Sequence, residues 1–96
     1  MDDLIASAVD ALNRRLTDGF PAGSAKFIVQ DIGAITVDSS GARAADLPAD
    51  VTLRASADTF IALVEGRLDP ARAVMTGKLG IEGDIAMAMQ LARALG

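Results

Sequence analysis

The run of periodicities along this chain predicts a mixed α/β domain of the α+β type. Its core element is a five-stranded mixed, mainly antiparallel sheet with helices packed on one face. Three observations carry that prediction. Apolar residues recur at helical spacing near both ends of the chain, and between them the spacing falls to strict alternation in short runs. The first strand-like runs follow one another through turns, which makes a meander, while the later ones are separated by helices. The chain has 96 residues and contains no linker or low-complexity stretch, so residues 1–96 form a single domain. The predicted order is α-β-β-β-crossover-β-α-α-β-α.

Residues 2–18 read as an amphipathic helix, with Ile5, Ala8, Val9, Leu12 and Leu16 on one face. Asp2 and Asp3 favour its start, Arg14 and Arg15 favour its end, and Gly19 and Pro21 stop it. Residues 26–30 then alternate, with Phe27 and Val29 sharing a face. Residues 34–38 alternate through Ile35 and Val37, after a connection at Asp31, Ile32 and Gly33. A second turn at Ser39, Ser40 and Gly41 leads to a short, Ala-rich strand over residues 42–45.

Leu47 to Asp50 reads as a crossover loop, and residues 50–56 alternate again through Val51, Leu53 and Ala55. Ser56 or Asp58 caps a helix carrying Phe60, Ile61, Leu63 and Val64, which ends at Gly66. Asp69 followed by Pro70 opens a short helix through Val74 and Met75, ended by Gly77. Residues 78–82 form the last strand, where Gly80 leaves one side thin enough for something to approach closely. Gly83 turns the chain, and Asp84 caps a final helix over residues 85–95.

That final helix is apolar around most of its circumference, with only Asp84, Gln90 and Arg93 polar. Such a helix is normally buried on all sides. A small domain cannot easily bury one that way, so the surplus apolar surface should meet a ligand, a second subunit, or both. The core material points the same way. Leu, Ile, Val and Phe total 26 residues, enough to fold, but 19 of the 49 hydrophobic residues are Ala. A core of Ala and aliphatic side chains is either thin and tightly packed or incompletely filled.

Composition also excludes several functions. With no His, Cys or Tyr, neither the usual acid–base and nucleophilic residues nor a disulfide or thiolate metal site is on hand. The acidic residues lack metal-loop spacing, and Gly77-Lys78-Leu79 lacks the other residues of a phosphate loop. The chain is therefore expected to be no enzyme and to hold no cofactor or metal. Net charge is −4 with scattered basic residues, which argues against nucleic acid as a partner and against docking on an anionic membrane. No apolar run approaches the ~18 residues of a membrane span, and the N-terminus is acidic where a secretion signal is basic. The expected location is cytoplasmic, with no stable membrane insertion.

From Asp50 to Leu91 the chain resembles the C-terminal half of a sterol carrier protein 2 domain. The matching residues are Phe60, Gly66-Arg67-Leu68-Asp69-Pro70, Gly77-Lys78-Leu79, Ile81, Gly83-Asp84, and Ala88-Met89 followed by Leu91. Residues 1–49 fit that family by element order alone. The resemblance implies an α/β fold with a five-stranded mixed sheet covered by helices, enclosing an apolar tunnel. It also implies binding of fatty acids, fatty acyl-CoA, sterols or other lipids without chemical change. Longer family members continue past the last helix with a segment that helps close the tunnel, and some end in a peroxisomal Ser-Lys-Leu signal. This sequence ends Ala94-Leu95-Gly96 and looks abbreviated between Ala42 and Asp50. The expectation is a smaller cavity, open on one side or covered by a dimer partner, that suits an acyl chain better than a whole sterol.

By face and motif, the expected cavity wall comprises Phe60, Leu63 and Val64 with Leu68, then Val74 and Met75, then Ile81, Met87 and Met89. Lys78 is the candidate contact for a lipid headgroup, against the alternative of a solvated lysine at a strand start. The expected function is passive binding or transfer of a lipid. The alternative is an interaction module that uses the same apolar helical face to hold a protein or to form a homodimer, with no lipid.

Overall fold

A computed structural model describes residues 4–95. The elements are α1 (Leu4–Arg15), β1 (Ala25–Val29), β2 (Gly33–Asp38), β3 (Gly41–Arg43), β4 (Val51–Ala55), α2 (Ala57–Val64), α3 (Pro70–Met75), β5 (Leu79–Gly83) and α4 (Ile85–Leu95). This is the predicted order. The five strands form one sheet in the order β3-β2-β1-β4-β5. Only the central β1–β4 pair is parallel; the other three pairs are antiparallel. The crossover after β3 produces that parallel pair, because it returns the chain beside β1 rather than at the outer edge.

The alternation seen in the sequence sets the two faces of the sheet. Ile35, Phe27, Leu53 and Ile81 are register partners across four strands and form one inward row. The helices cover this face, and the core gathers there. Lys26, Thr36, Thr52 and Glu82 form a row on the opposite face. Thr36 is the exception on that side, at 1% exposed. Its hydroxyl donates to the Ala45 carbonyl at 2.7 Å and accepts from the Leu47 N–H at 3.2 Å, so it fastens the crossover loop to the sheet. This also explains why β3 ends at Arg43 and does not run on to Ala45: the Ala45 carbonyl is engaged by a side chain instead of a strand.

Several ends differ from the sequence expectation. Helix α1 stops at Arg15, and the Leu16 N–H closes a last turn on the Leu12 carbonyl. Asp2 and Asp3, expected at its start, lie outside the described residues. Asn13, on the flank of α1, brackets Ala42 with a bond to its carbonyl (3.0 Å) and one from its N–H (2.8 Å). These two bonds occupy groups on the outer edge of β3 that could otherwise pair with another strand. Ser56, rather than Asp58, caps α2 by accepting from the Thr59 N–H. At Gly80 an added Cβ would meet only Arg54 atoms at 3.9 Å, so nothing approaches closely there.

Asp50 joins three elements beside the site. Its carboxylate accepts from the Ser24 N–H and hydroxyl before β1, and its carbonyl accepts from the Asp84 N–H ahead of α4. Gly83 makes that approach feasible. Its φ is +104°, and a Cβ there would lie 2.6 Å from the Asp50 carbonyl oxygen. Asp84 then caps α4 by accepting from the Met87 N–H at 3.1 Å.

Candidate functional site

The packed face of the sheet is not evenly filled. Six of the twenty buried apolar residues of the core are Ala (Ala8, Ala25, Ala42, Ala55, Ala73 and Ala88), side chains of little volume. Beneath α2 the sheet is covered by larger groups. Phe60 of α2 lies against Phe27 of β1, with ring centroids 5.2 Å apart and planes tilted by 54°. On the β5 side no second aromatic residue does the same. A cavity of about 290 Å³ remains there, between the sheet, α3 and α4.

Each neighbouring element contributes to this cavity. Phe27 and Leu53 form its floor, with Leu79 and Ile81 of β5 beside them. Leu63 of α2 also lines it. Pro70 and Val74 of α3 face Ala88, Met89, Leu91 and Ala92 of α4 across it. The lining is almost wholly apolar, and Asp69 and Arg93 are its only charged residues. Neither side chain makes a hydrogen bond or ion pair among the described residues, and Asp69 makes no capping bond to α3. The cavity is at the lower end of the ~300–1,000 Å³ usual for small-molecule sites.

Four of the nine wall residues expected from sequence line this cavity: Leu63, Val74, Ile81 and Met89. Phe60 and Val64 instead face a second cleft of about 390 Å³ between α1 and α2, together with Leu4, Ser7 and Glu65. Leu68 is half-buried against the core. Met87 is half-buried too, and it fills the space over Gly23, where a Cβ would lie 2.5 Å from its sulfur. Met75 stands in solvent, 85% exposed. Lys78 is exposed in the turn before β5 and lines neither space; its N–H donates to the Ala73 carbonyl.

The floor residues Phe27, Leu53 and Leu79 were identifiable only as inward positions, because nothing local said which inward side chains border a gap. Leu91 was quoted for its motif and not for the wall. Arg93 had a readable signal that the sequence expectation did not use. It follows Met89 by one helical turn, so the two share the same side of α4.

Several charged groups elsewhere form pairs, three of them on the strands of the sheet. Lys26 meets Asp46 at 2.7 Å, and Arg54 meets Glu82 at 3.0 Å. Arg43 meets Asp38 at 2.7 Å. Asp38 is held below its ordinary value of 3.8, first by its hydrogen bond from the Arg43 side chain and next by the Ser40 N–H. None of these borders the cavity. Among the described residues no three acidic groups gather closely enough to hold a metal, and no helix is long and apolar enough to cross a membrane.

Comparison with known proteins agrees with this architecture. Over 47 residues, 49% of its length, the chain is 40% identical to hydroxysteroid dehydrogenase-like protein 2 of Bos taurus, and the match takes in 11% of that protein. The chain thus corresponds to only a small part of such relatives. Among solved structures, sterol carrier protein 2 like 2 from Aedes aegypti superposes with a TM-score of 0.77 at 16% identity, covering 94% of each chain. The Aedes aegypti sterol carrier protein 2, solved in complex with the C16 fatty acid palmitate, also gives 0.77, at 19% identity over the whole of both chains. At these identities the likeness is one of fold. The sequence itself matches the description of the SCP-2 sterol transfer family over residues 7–96. That span takes in every strand and all but the first turn of α1, so the chain belongs to the SCP-2 sterol transfer family.

Proposed function

We propose that this chain is a non-catalytic lipid carrier of the cytoplasm, and that it holds a fatty acyl chain in the cavity between β5, α3 and α4. The observation that carries this proposal is an apolar cavity with a single cation, Arg93, in its lining. An acyl chain replaces water against such walls and gains roughly 0.8 kcal/mol per buried methylene. Ten methylenes give on the order of 8 kcal/mol before ordering costs, which is the scale of micromolar affinity. Leu63, Val74, Ile81 and Met89 are the proposed walls, joined by Phe27, Leu53, Leu79 and Leu91. Arg93 takes the headgroup role that sequence reasoning had given to Lys78. A guanidinium pairs well with a carboxylate. The modest cavity volume favours a fatty acid or the acyl part of a fatty acyl-CoA over a rigid sterol.

The test combines native mass spectrometry of the protein purified from cells with displacement of a fluorescent fatty acid. Retained acyl lipid and saturable displacement support the proposal. Protein free of lipid that displaces nothing would overturn it. The second reading, an interaction module that dimerises through the same helical face, draws on the exposure of Met75, Ile85 and Met89. Light scattering separates the two: a tight dimer whose cavity takes up no fatty acid belongs to the second.

A further inference from the structure

The sheet has two edge strands, and they differ. Asn13 occupies backbone groups on the outer edge of β3. No side chain does the same for β5 among the described residues. Which groups of β5 point outward follows from its ladder with β4. The Asp84 N–H bonds the Asp50 carbonyl, and the register continues through Glu82 with Thr52 and Gly80 with Arg54. Hydrogen-bonded pairs alternate along an antiparallel ladder, so Glu82 and Gly80 turn their backbone groups to β4. Leu79 and Ile81 therefore turn theirs away from the sheet, while their side chains line the cavity. No other group of the described residues takes up those outward N–H and C=O groups. Gly80, between them, has no reason within the chain to be glycine. Its φ lies outside the left-handed region, and an added Cβ would meet only Arg54, at 3.9 Å. Lys78 and Glu82 stand two residues to either side of it and share its face. They are roughly 13 Å apart along the strand, too far to pair with each other. Glu82 meets Arg54, and Lys78 has no side-chain partner among the described residues.

We infer that the β5 edge pairs with the β5 edge of a second copy, antiparallel about a two-fold axis at Gly80, so that two sheets join into one. Self-complementarity selects the occupant. Pairing centred on Gly80 sets Leu79 against Ile81 of the second copy, and every outward N–H and C=O of the two residues finds a partner. The same register sets Lys78 opposite Glu82 of the second copy, and symmetry makes that pair twice. Opposite charges directly across a strand pair stabilise it. Gly80 meets its own copy at the axis, in a pair without hydrogen bonds, where antiparallel strands come closest. The glycine that the single chain does not require is then the residue that suits the seam. The two most exposed large hydrophobic residues lie at its ends. Met75, 85% exposed, ends α3 just ahead of β5, and Ile85, 62% exposed, opens α4 just after it. A two-fold axis brings the start of one β5 beside the end of the other, which draws Met75 towards Ile85 of the second copy. This seam is a strand edge, distinct from the helical face, and each cavity keeps its own walls. The inference goes beyond the lipid-carrier proposal and does not rest on it.

The test is sedimentation velocity over a concentration series, with substitutions at residues that do not line the cavity. The unmodified chain should dimerise reversibly. G80E puts like charges against each other at the axis, while within one chain its side chain enters open space beside Arg54. It should raise the dimer dissociation constant about tenfold or more. K78E and E82K each set like charges opposite one another in a pair of identical chains, and each should weaken the dimer by about tenfold. Mixed in equal amounts, the K78E and E82K chains set opposite charges together at both positions, so the mixture should dimerise about as tightly as the unmodified chain. That recovery also shows that both variants fold. The inference is overturned if the unmodified chain stays monomeric throughout the series, or if G80E, K78E and E82K dimerise as tightly as it does. A mixture of the K78E and E82K chains as monomeric as either alone overturns it too. Fatty acid binding enters none of these outcomes, so failure of the lipid-carrier proposal is seen separately.

Discussion

Replacing Ala92 by Leu should raise the stability of this protein while weakening its hold on a fatty acid. Ala92 is half-buried on α4 and lines the cavity of about 290 Å³. A leucine there adds three carbons directed into empty apolar space. At ~0.8 kcal/mol per buried carbon the gross gain is about 2.4 kcal/mol. Ordering the new side chain costs about 0.5–1 kcal/mol, which leaves a net gain of roughly 1.5 kcal/mol. For a domain of this size each 1 kcal/mol moves Tm by about 4–8 °C, so thermal unfolding should rise by ~6–12 °C. The same three carbons take the place of about three ligand methylenes. The affinity for a fluorescent fatty acid should then fall on the order of 50-fold. Opposite movements in stability and binding mark a side chain filling a ligand's space. A variant with a lower Tm and unchanged binding would show that Ala92 borders packed atoms and not a cavity.

Other expectations follow from named contacts. Arg93→Gln should weaken binding of a fatty acid by about fivefold at most, as befits an exposed ion pair, and leave binding of the matching fatty alcohol unchanged; equal losses for both ligands would remove Arg93 from the headgroup role. Thr36→Val strips the Leu47 N–H of its acceptor and the Ala45 carbonyl of its donor, and should cost about 1–3 kcal/mol in urea unfolding. A loss below 0.5 kcal/mol, taken here as roughly the scatter of surface substitutions, would mean the crossover loop is held by other means. Asp38 is depressed by Arg43, so its contribution is present above the ordinary carboxylate value of 3.8 and is lost as pH falls through its lower folded value. Arg43→Gln should therefore flatten the acid limb of stability against pH, and an unchanged limb would assign that limb to other carboxylates.

The elements that could be foreseen are those whose determinants are local. Alternation placed Phe27, Leu53 and Ile81 inward, and Asp69-Pro70 and Gly83-Asp84 located the starts of α3 and α4. The ends that moved depend on distant partners: β3 stops early because the Ala45 carbonyl is taken by Thr36, nine residues away. The cavity was legible only in part for a related reason. Helical spacing puts Met87 and Met89 on an apolar helix, but it does not show that Met87 lies over Gly23 while Met89 borders a gap. Phe60 carries the family motif, yet its role is to brace α2 on Phe27. What decides between wall and core is the space left between the sheet, α2, α3 and α4, and that emerges only when these elements are assembled.

The most direct test of an acyl-binding cavity is methyl NMR of the protein titrated with palmitate. Saturable shifts confined to the methyl groups of Leu53, Leu63, Val74, Ile81, Met89 and Leu91, at micromolar concentration, are the result predicted. No shift at those methyls, or shifts centred on Val64 and Ile61 in the cleft between α1 and α2, would contradict the assignment of the ligand to this cavity.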